Sequence, residues 1–496
     1  MKNMVPTFCY NRRSIKSLKK GKKRRIPLNL LIIGVITISS IFLLSTIYSS
    51  SNFLQDNFRI TQAPSLPSLE HQRGDQLIKA VSTVFEKKED NISPAKPSKN
   101  IQQNLKVEES QLTYTEPTQK KGAPGSKSII AYAISITSCP VNKTTVFDGP
   151  AILGHSIHQN SIQHNGSRSK YDYSLYAFVH PQAVECSHGL ELLGYEILVR
   201  DIPFDIGKIQ SESYKQEIEL NGCCGSSEFL KLWAYTLTNH DIVVHTDTDV
   251  MVLQPMDNLF DAMLDESGNL STYSIPTMGG KPLPPKIDFV FTRDYLQGSR
   301  MTKDAKKFGV QGGFYVVRPN REVFHDLNKE ILKGNYERGS GWGKKKYGGF
   351  WGSAQIQGFL SYFYGEIQPQ NTVELNRCIY NTMVDDPPMN NGKCRTGEET
   401  CEDCRETPLS DMITVHMTTC WKPWHCPLVK PPHPPRCKEV HRAWFDFRKS
   451  LELSWGYDIP KEGWYFERTL GYCTKKGGVK KRYYVGLQMP NATVKP

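Results

Sequence analysis

The sequence predicts an α/β domain set behind an N-terminal transmembrane helix and a disordered stem. From residue 129 onward, strand-length apolar runs alternate with helical ones, the pattern of a sheet covered by helices. With 496 residues, 38% of them apolar, the chain can bury a core the size of one enzyme domain or two, which excludes a short peptide or a wholly disordered tail. A run of cations followed directly by 23 uncharged residues predicts the membrane helix.

Residues 1–25 form a cytosolic basic tail with ten Lys/Arg and no acid, leaving 52 basic against 50 acidic residues elsewhere, so the formal charge of +12 is local. A body this close to neutral lacks the continuous basic face that phosphate neutralisation requires, and nucleic acid is not an expected partner. Residues 26–48 are long enough, at about 1.5 Å per residue, to cross a hydrocarbon layer of about 30 Å. A cleaved signal peptide is the alternative, although its apolar stretch is usually only about 7–15 residues. Cation excess on the N-terminal flank holds the tail in the cytosol and sends everything after Tyr48 to the far side, a single-pass type II arrangement.

Residues 49–128 contain no Cys or Trp and only four aromatics, too little apolar surface to offset ordering entropy, and form the stem. The folded domain spans 129–450, followed by a C-terminal extension at 451–496. Strands are expected at 129–137, 173–179, 195–200, 241–246, 313–317 and 412–417, because these runs are apolar and rich in β-branched residues. Helices are expected after Pro181 and at 226–237, 256–265, 321–332 and 353–364. With six glycines in fourteen residues, 339–352 reads as a mobile basic loop.

Cys9 lies in the tail, and the other twelve cysteines fall between Cys139 and Cys473, an even number suited to disulfides in an oxidising compartment. Seven lie in the loop-rich segment 378–437. Cys394, Cys401 and Cys404 with His425 or His433 form the competing zinc reading, which lacks a second CxxC or a spaced His pair. The neighbours Cys223 and Cys224 are expected to bond separate partners rather than each other. Five Asn-x-Ser/Thr sequons, at Asn91, Asn142, Asn165, Asn269 and Asn491, are potential glycan sites on the same side.

The chemistry centres on Asp247-Thr248-Asp249, two carboxylates at the end of a predicted strand. Ligands of open α/β sheets bind beyond the carboxyl ends of strands, and paired hard oxygen ligands there suit Mg²⁺ or Mn²⁺ bridging to nucleotide phosphates. Two turn-forming aspartates capping the next helix are the alternative for an isolated DxD. A phosphohydrolase using the first Asp as nucleophile is a further alternative, disfavoured by Met251 where such enzymes carry Thr or Val. His416, near the end of the 412–417 run, is a competent third metal ligand, and Lys422 can hold a diphosphate as a point charge. A lone His on an apolar strand is otherwise a satisfied core residue.

Together these pieces resemble the glycogenin-like, retaining family 8 glycosyltransferases. The matching residues are Asp247-Thr248-Asp249, Leu253, Asp257-Asn258-Leu259-Phe260, His416 and Lys422-Pro423-Trp424, with 149–157, Lys231 and 313–319 agreeing. The resemblance runs from about residue 129 to 424. It implies a GT-A type, Rossmann-like nucleotide-diphospho-sugar transferase domain in which Asp247, Asp249 and His416 hold Mn²⁺ (or Mg²⁺) on a UDP-sugar. Lys422 then touches the diphosphate and Lys231 approaches the donor. It also implies a hexosyltransferase in the Golgi membrane, catalytic domain luminal, acting on an unknown glycan or protein acceptor. The chain departs from the family at Gln311-Gly312-Gly313, where the family has Asn-Ser-Gly, and at Ile356-Gln357-Gly358, where it has Asp-Gln-Gly. The second departure removes a carboxylate expected beside the sugar and leaves Gln355 or Gln357 as neighbours. Gln311 and Gln357 are therefore the amides offered to an oxocarbenium-like sugar, and front-face attack by the acceptor is the implied route. An inactive GT-A domain that binds glycans or a protein partner is the reading of a different class.

Overall fold

The computed structural model describes residues 129–139, 147–299, 301–427, 434–463, 466–475 and 482–489, all within one structural unit. The expected tail, transmembrane helix and stem lie outside the described residues, as do Asn91, Asn142, Asn491 and His433. Among the described residues, no helix is long and apolar enough to cross a membrane.

The first half of the domain alternates strand and helix as the sequence pattern requires. β1 (Ile129–Ile136) leads to α1 (Asp148–Gln159), β2 (Asp172–Val179), a 3₁₀ turn at Pro181–Cys186 and α2 (Ser187–Leu192), then β3 (Glu196–Val199). After α3 (Glu212–Leu220) and a 3₁₀-type helix at Gly225–Thr236 come β4 (Ile242–Thr246), β5 (Val250–Val252) and α4 (Asp257–Leu264). β6 (Phe289–Arg293), β7 (Val310–Val317) and α5 (Arg321–Lys333) follow. The short strands β8 (Tyr336–Glu337) and β9 (Gly341–Trp342), α6 (Ile356–Tyr362) and β10 (Thr372–Glu374) complete the main body. The Cys-rich segment then contributes β11 (Met389–Asn390), β12 (Lys393–Cys394) and β13 (Thr414–His416).

Seven of these strands form a mixed sheet in the order β10-β6-β7-β4-β1-β2-β3. Most neighbours are parallel, and β7 runs antiparallel to both β4 and β6. The twofold alternation along each strand sorts its residues into two cores. Ala131, Ala133 and Val243 face Phe229, Leu230 and Phe359, while Ile130, Ile134 and Val244 face Leu153, Leu259 and Met263. The outcome is a sheet covered on both faces.

A third core gathers Ile152, Met251, Val415, Trp424 and Trp444 with Leu451, Tyr472 and Leu487. The boundary expected at 450 falls inside α7 (Arg436–Ser454), and the residues beyond it are part of this core rather than an appendage. Arg448 is buried, contacting Asp148, Glu452, the Tyr484 hydroxyl and the Val485 carbonyl, and the Leu487 amide donates to Asp148 at 3.1 Å. This network fastens residues 482–489 to the first turn of α1.

Two further expectations meet the structure here. Segment 339–352 is not a free loop: its β9 pairs with β8 just before it, Trp342 and Tyr347 are buried, and Trp342 Nε1 donates to the Ser353 carbonyl at 2.8 Å. Its glycines serve turns between buried aromatics, such as Gly341 (φ 71°), where a Cβ would meet the Tyr347 backbone at 2.6 Å. The cysteines pair as Cys139–Cys186, Cys378–Cys404, Cys394–Cys401, Cys420–Cys437 and Cys426–Cys473. Cys394, Cys401 and Cys404 are therefore disulfide sulfurs rather than zinc ligands, because a bridged sulfur has no thiolate to offer.

Candidate active site

The strand order reverses direction beside β1: β2 and β3 lie on one side of it and β4 on the other. Such a switch point opens a crevice at the carboxyl ends of the strands. Here the crevice is a cleft of about 1260 Å³, open solvent at its mouth included, lined by residues 135–138 at the end of β1 and by Asp247, Thr248 and Asp249 beyond β4. The Asp247 amide donates to the Gly313 carbonyl at 2.9 Å and the Val250 amide to the Asp247 carbonyl at 3.2 Å, which makes the DxD a tight turn. α1 backs this turn closely, since a Cβ on Gly149 would lie 2.4 Å from the Thr248 carbonyl oxygen.

His416 arrives by register. β13 pairs antiparallel with β5, setting His416 opposite Val250, and the Met417 amide donates to the Asp249 carbonyl at 2.9 Å. Ligand atoms of Asp247, Asp249 and His416 all lie within 4.8 Å of one another. Gly313 leaves the space they occupy, because a Cβ there would meet His416 Cε1 at 2.4 Å and Asp247 Oδ2 at 2.8 Å.

Two lysines flank the three ligands. Lys231 Nζ reaches Asp247 Oδ1 at 2.9 Å, Glu228 Oε2 at 3.1 Å and the Gly312 carbonyl at 3.0 Å, so each of its three N–H groups has an acceptor within the protein. It lines the cleft and holds the DxD turn against β7. Lys422 pairs with Asp249 and is presented by a loop stapled on both sides, through Cys420–Cys437 and Cys426–Cys473.

Burial sets the electrostatics. It would lower Lys231 and raise Asp247, yet their mutual attraction outweighs it: Lys231 is raised, with Glu228 adding to the effect, and Asp247 is lowered. Burial pushes Lys422 down to about 8, against the pull of Asp247 and Cys223. It also lowers His416, favouring the neutral imidazole that can bind a metal. His416 Nε2 lies 3.4 Å from Asp249 Oδ1, whereas its Nδ1 is buried without a hydrogen-bond partner. Two carboxylates and a neutral imidazole with an unsatisfied nitrogen form an oxygen-and-nitrogen donor set that fits Mn²⁺ or Mg²⁺.

The remaining candidates also line the cleft, in unequal roles. Gln311 is buried in β7, its Oε1 accepting from the Gly313 amide at 2.6 Å and from Asn381 Nδ2 at 3.4 Å, so it shapes the backbone behind the ligands. Gln355 Nε2 donates to the Ile218 carbonyl at 2.9 Å, which leaves Gln357 as the more open amide. Ile356, at the position where the resemblance expects a carboxylate, is buried against Gly312. Sequence reasoning missed Glu228, which sits one helical turn before Lys231, and it expected a disulfide at Cys223, which is instead a free thiol pushed up to about 12 by burial. It also missed Trp351, whose side chain is half exposed at the cleft edge. The i,i+3 spacing of Glu228 and Lys231 was a readable signal; Trp351 had none.

No family model matches the chain, and no curated protein matches it. Among solved structures the chain is similar to apo mouse xyloside xylosyltransferase 1, at 11% identity and a TM-score of 0.36 over 58% of this chain and 98% of the other. It is also similar to the galactosyltransferase LgtC bound to donor and acceptor sugar analogs, at 10% identity and a TM-score of 0.35 over 67% and 98%. The apo form of glycosyltransferase GlyE from Streptococcus pneumoniae TIGR4 matches at 11% identity and a TM-score of 0.34, over 66% and 63%. At such values the functional reading rests on the cleft itself.

Proposed function

We propose that the chain is a metal-dependent retaining glycosyltransferase of GT-A type that moves a hexose from a UDP-sugar to a glycan or protein acceptor, anchored in the Golgi membrane with its catalytic domain luminal. The observation that carries this reading is the convergence of Asp247, Asp249 and His416 beside Lys422 at the switch point of the sheet. A bound Mn²⁺ supplies charge neutralisation on the diphosphate. Lys422 adds a second positive charge beside the leaving group, and the fixed Lys231–Asp247 pair keeps the turn from reorganising as charge develops. In the transfer, the bond from the anomeric carbon to the β-phosphate oxygen breaks while the acceptor oxygen attacks from the same face, its proton passing to the departing phosphate oxygen. Gln357 is the amide beside the oxocarbenium-like sugar. No carboxylate replaces Ile356 there, which favours front-face attack over a covalent intermediate.

The buried Ile356 also favours a second reading, an inactive domain that binds glycans or a partner. UDP release from UDP-sugars, with and without Mn²⁺, separates the two. Wild type should release UDP only with metal, and Asp249→Asn should abolish release while leaving the melting temperature within a few degrees. UDP affinity indifferent to Mn²⁺ together with no UDP release leaves the binding module standing, whereas full activity in Asp249→Asn removes the metal-dependent mechanism.

A further inference from the structure

We infer that the groove beside the cleft, floored by Trp351, takes a pyranose ring of the acceptor, stacked on the indole. The inference rests on the donor reading above and adds the acceptor's place and chemistry. The groove shares Gln297 and Trp351 with the cleft and continues past them to Asn221, Met301 and Arg338.

Trp351 is 50% exposed, and its ring makes no hydrogen bond or ring contact with any described residue. The segment that carries it is nevertheless fixed. Phe350 is buried, the Tyr336 hydroxyl and Ser353 Oγ lie 2.9 Å apart, and Ser299 Oγ donates to the Gly348 carbonyl at 2.6 Å. A single exposed aromatic is ordinary on a protein surface. One carried by a fixed backbone at the rim of a cleft is a partly preorganised contact, because the ordering of the segment has been met before any ligand arrives.

A second observation is independent of the indole. Asn221 lines the same groove, and its Oδ1 is buried with no hydrogen-bond partner, a group that gains by receiving a hydroxyl. A pyranose presents C–H groups on one face and hydroxyls around its rim. The indole takes the face, while the amides of Asn221 and Gln297 and the Arg338 guanidinium, 86% exposed, take the rim. A nucleobase would also stack on an indole. Position favours the acceptor: Trp351 is followed by Gly352, where a Cβ would lie 2.6 Å from Gln357 Oε1, the amide assigned to the transferred sugar.

The test is saturation-transfer NMR on the full chain in detergent with UDP and diamagnetic Mg²⁺, using the methyl β-glycosides of galactose, glucose, N-acetylglucosamine, mannose and xylose as probes. Ring protons of at least one glycoside should receive saturation. Trp351→Ala should weaken that binding roughly tenfold, the scale of one aromatic stacking partner, and Trp351→Phe should recover most of it. Asn221→Ala should weaken it separately, and melting curves confirm that each variant folds. Glycoside binding unchanged in Trp351→Ala overturns the inference, as does loss of saturation at the uracil protons instead. Bound UDP with no glycoside bound overturns this inference alone, whereas a Trp351-dependent glycoside signal without UDP binding supports it and removes the donor reading.

Discussion

Replacing Gly313 by alanine adds one methyl group at the point where the three candidate metal ligands meet. Gly313 lies within β7 and has no left-handed backbone, so alanine is locally acceptable and gains about 0.5–1 kcal/mol over glycine. The new methyl carbon would lie 2.4 Å from His416 Cε1, about 1 Å short of ordinary contact, and 2.8 Å from Asp247 Oδ2. Overpacking of this kind costs about 1–3 kcal/mol, so net stability should fall by no more than about 2.5 kcal/mol. Metal geometry is less forgiving, since ligand distances hold to about 0.2 Å and a ligand pushed aside by five times that no longer binds. Even the loss of an outer partner of a metal ligand weakens affinity by about 10–100-fold, and a displaced ligand should cost at least as much. Titration of Mn²⁺ at fixed UDP, by calorimetry and by electron paramagnetic resonance, reads this directly beside a thermal melt. Gly312→Ala is the control, because its methyl would meet Ile356 and Gln357 side-chain carbons at 3.1 and 3.3 Å and no ligand. Gly313→Ala that binds Mn²⁺ with UDP within twofold of wild type would show that no metal sits at these three residues.

Removing the Cys426–Cys473 bridge with paired serines should cost about 2–4 kcal/mol in denaturant unfolding and weaken UDP binding, because its 47-residue span fixes the loop that presents Lys422. Asp148, pushed up from its ordinary 3.8 to about 6 by burial, binds its proton more tightly in the folded state. Its contribution is complete below pH 3.8 and lost as pH rises through about 6, a change on the order of 3 kcal/mol that Asp148→Asn should remove from the stability profile. Asp385, likewise pushed up to about 6 by burial, leaves a residual slope of the same sign. In sealed microsomes, protease should spare residues 49–496 until detergent is added; digestion of the bulk of the chain without detergent overturns the type II topology.

Legibility in the sequence followed locality. Asp247, Asp249 and His416 could be read because each closes an apolar run, and a strand end beside a polar residue is a local pattern. Lys422 stood out through its neighbours Pro423 and Trp424. What Lys231 does was not legible, because its partners Asp247 and Gly312 stand 16 and 81 residues away. Six glycines made 339–352 look mobile, whereas Trp342 and Tyr347 anchor it through packing that no local pattern displays. Cysteine number and placement predicted disulfides, and pairing had to come from space, where Cys426 meets Cys473 across 47 residues. The boundary drawn at 450 has a similar cause, since the residues beyond it join the domain through partners far away in sequence, Tyr484 and Leu487 meeting Asp148 and Leu487 packing with Ile152.

That last attachment orders events during synthesis. The Leu487 amide that donates to Asp148 is made 339 residues later, so an emerging chain carries an α1 whose first turn lacks this partner until residue 487 has been added. α1 is also the backing of the DxD turn through Gly149 and Thr248. Nascent chains and products of premature termination therefore have a DxD turn resting on an unfinished support. A chain cut before Tyr484 lacks both the Tyr484 hydroxyl and the Leu487 amide that Asp148 accepts from.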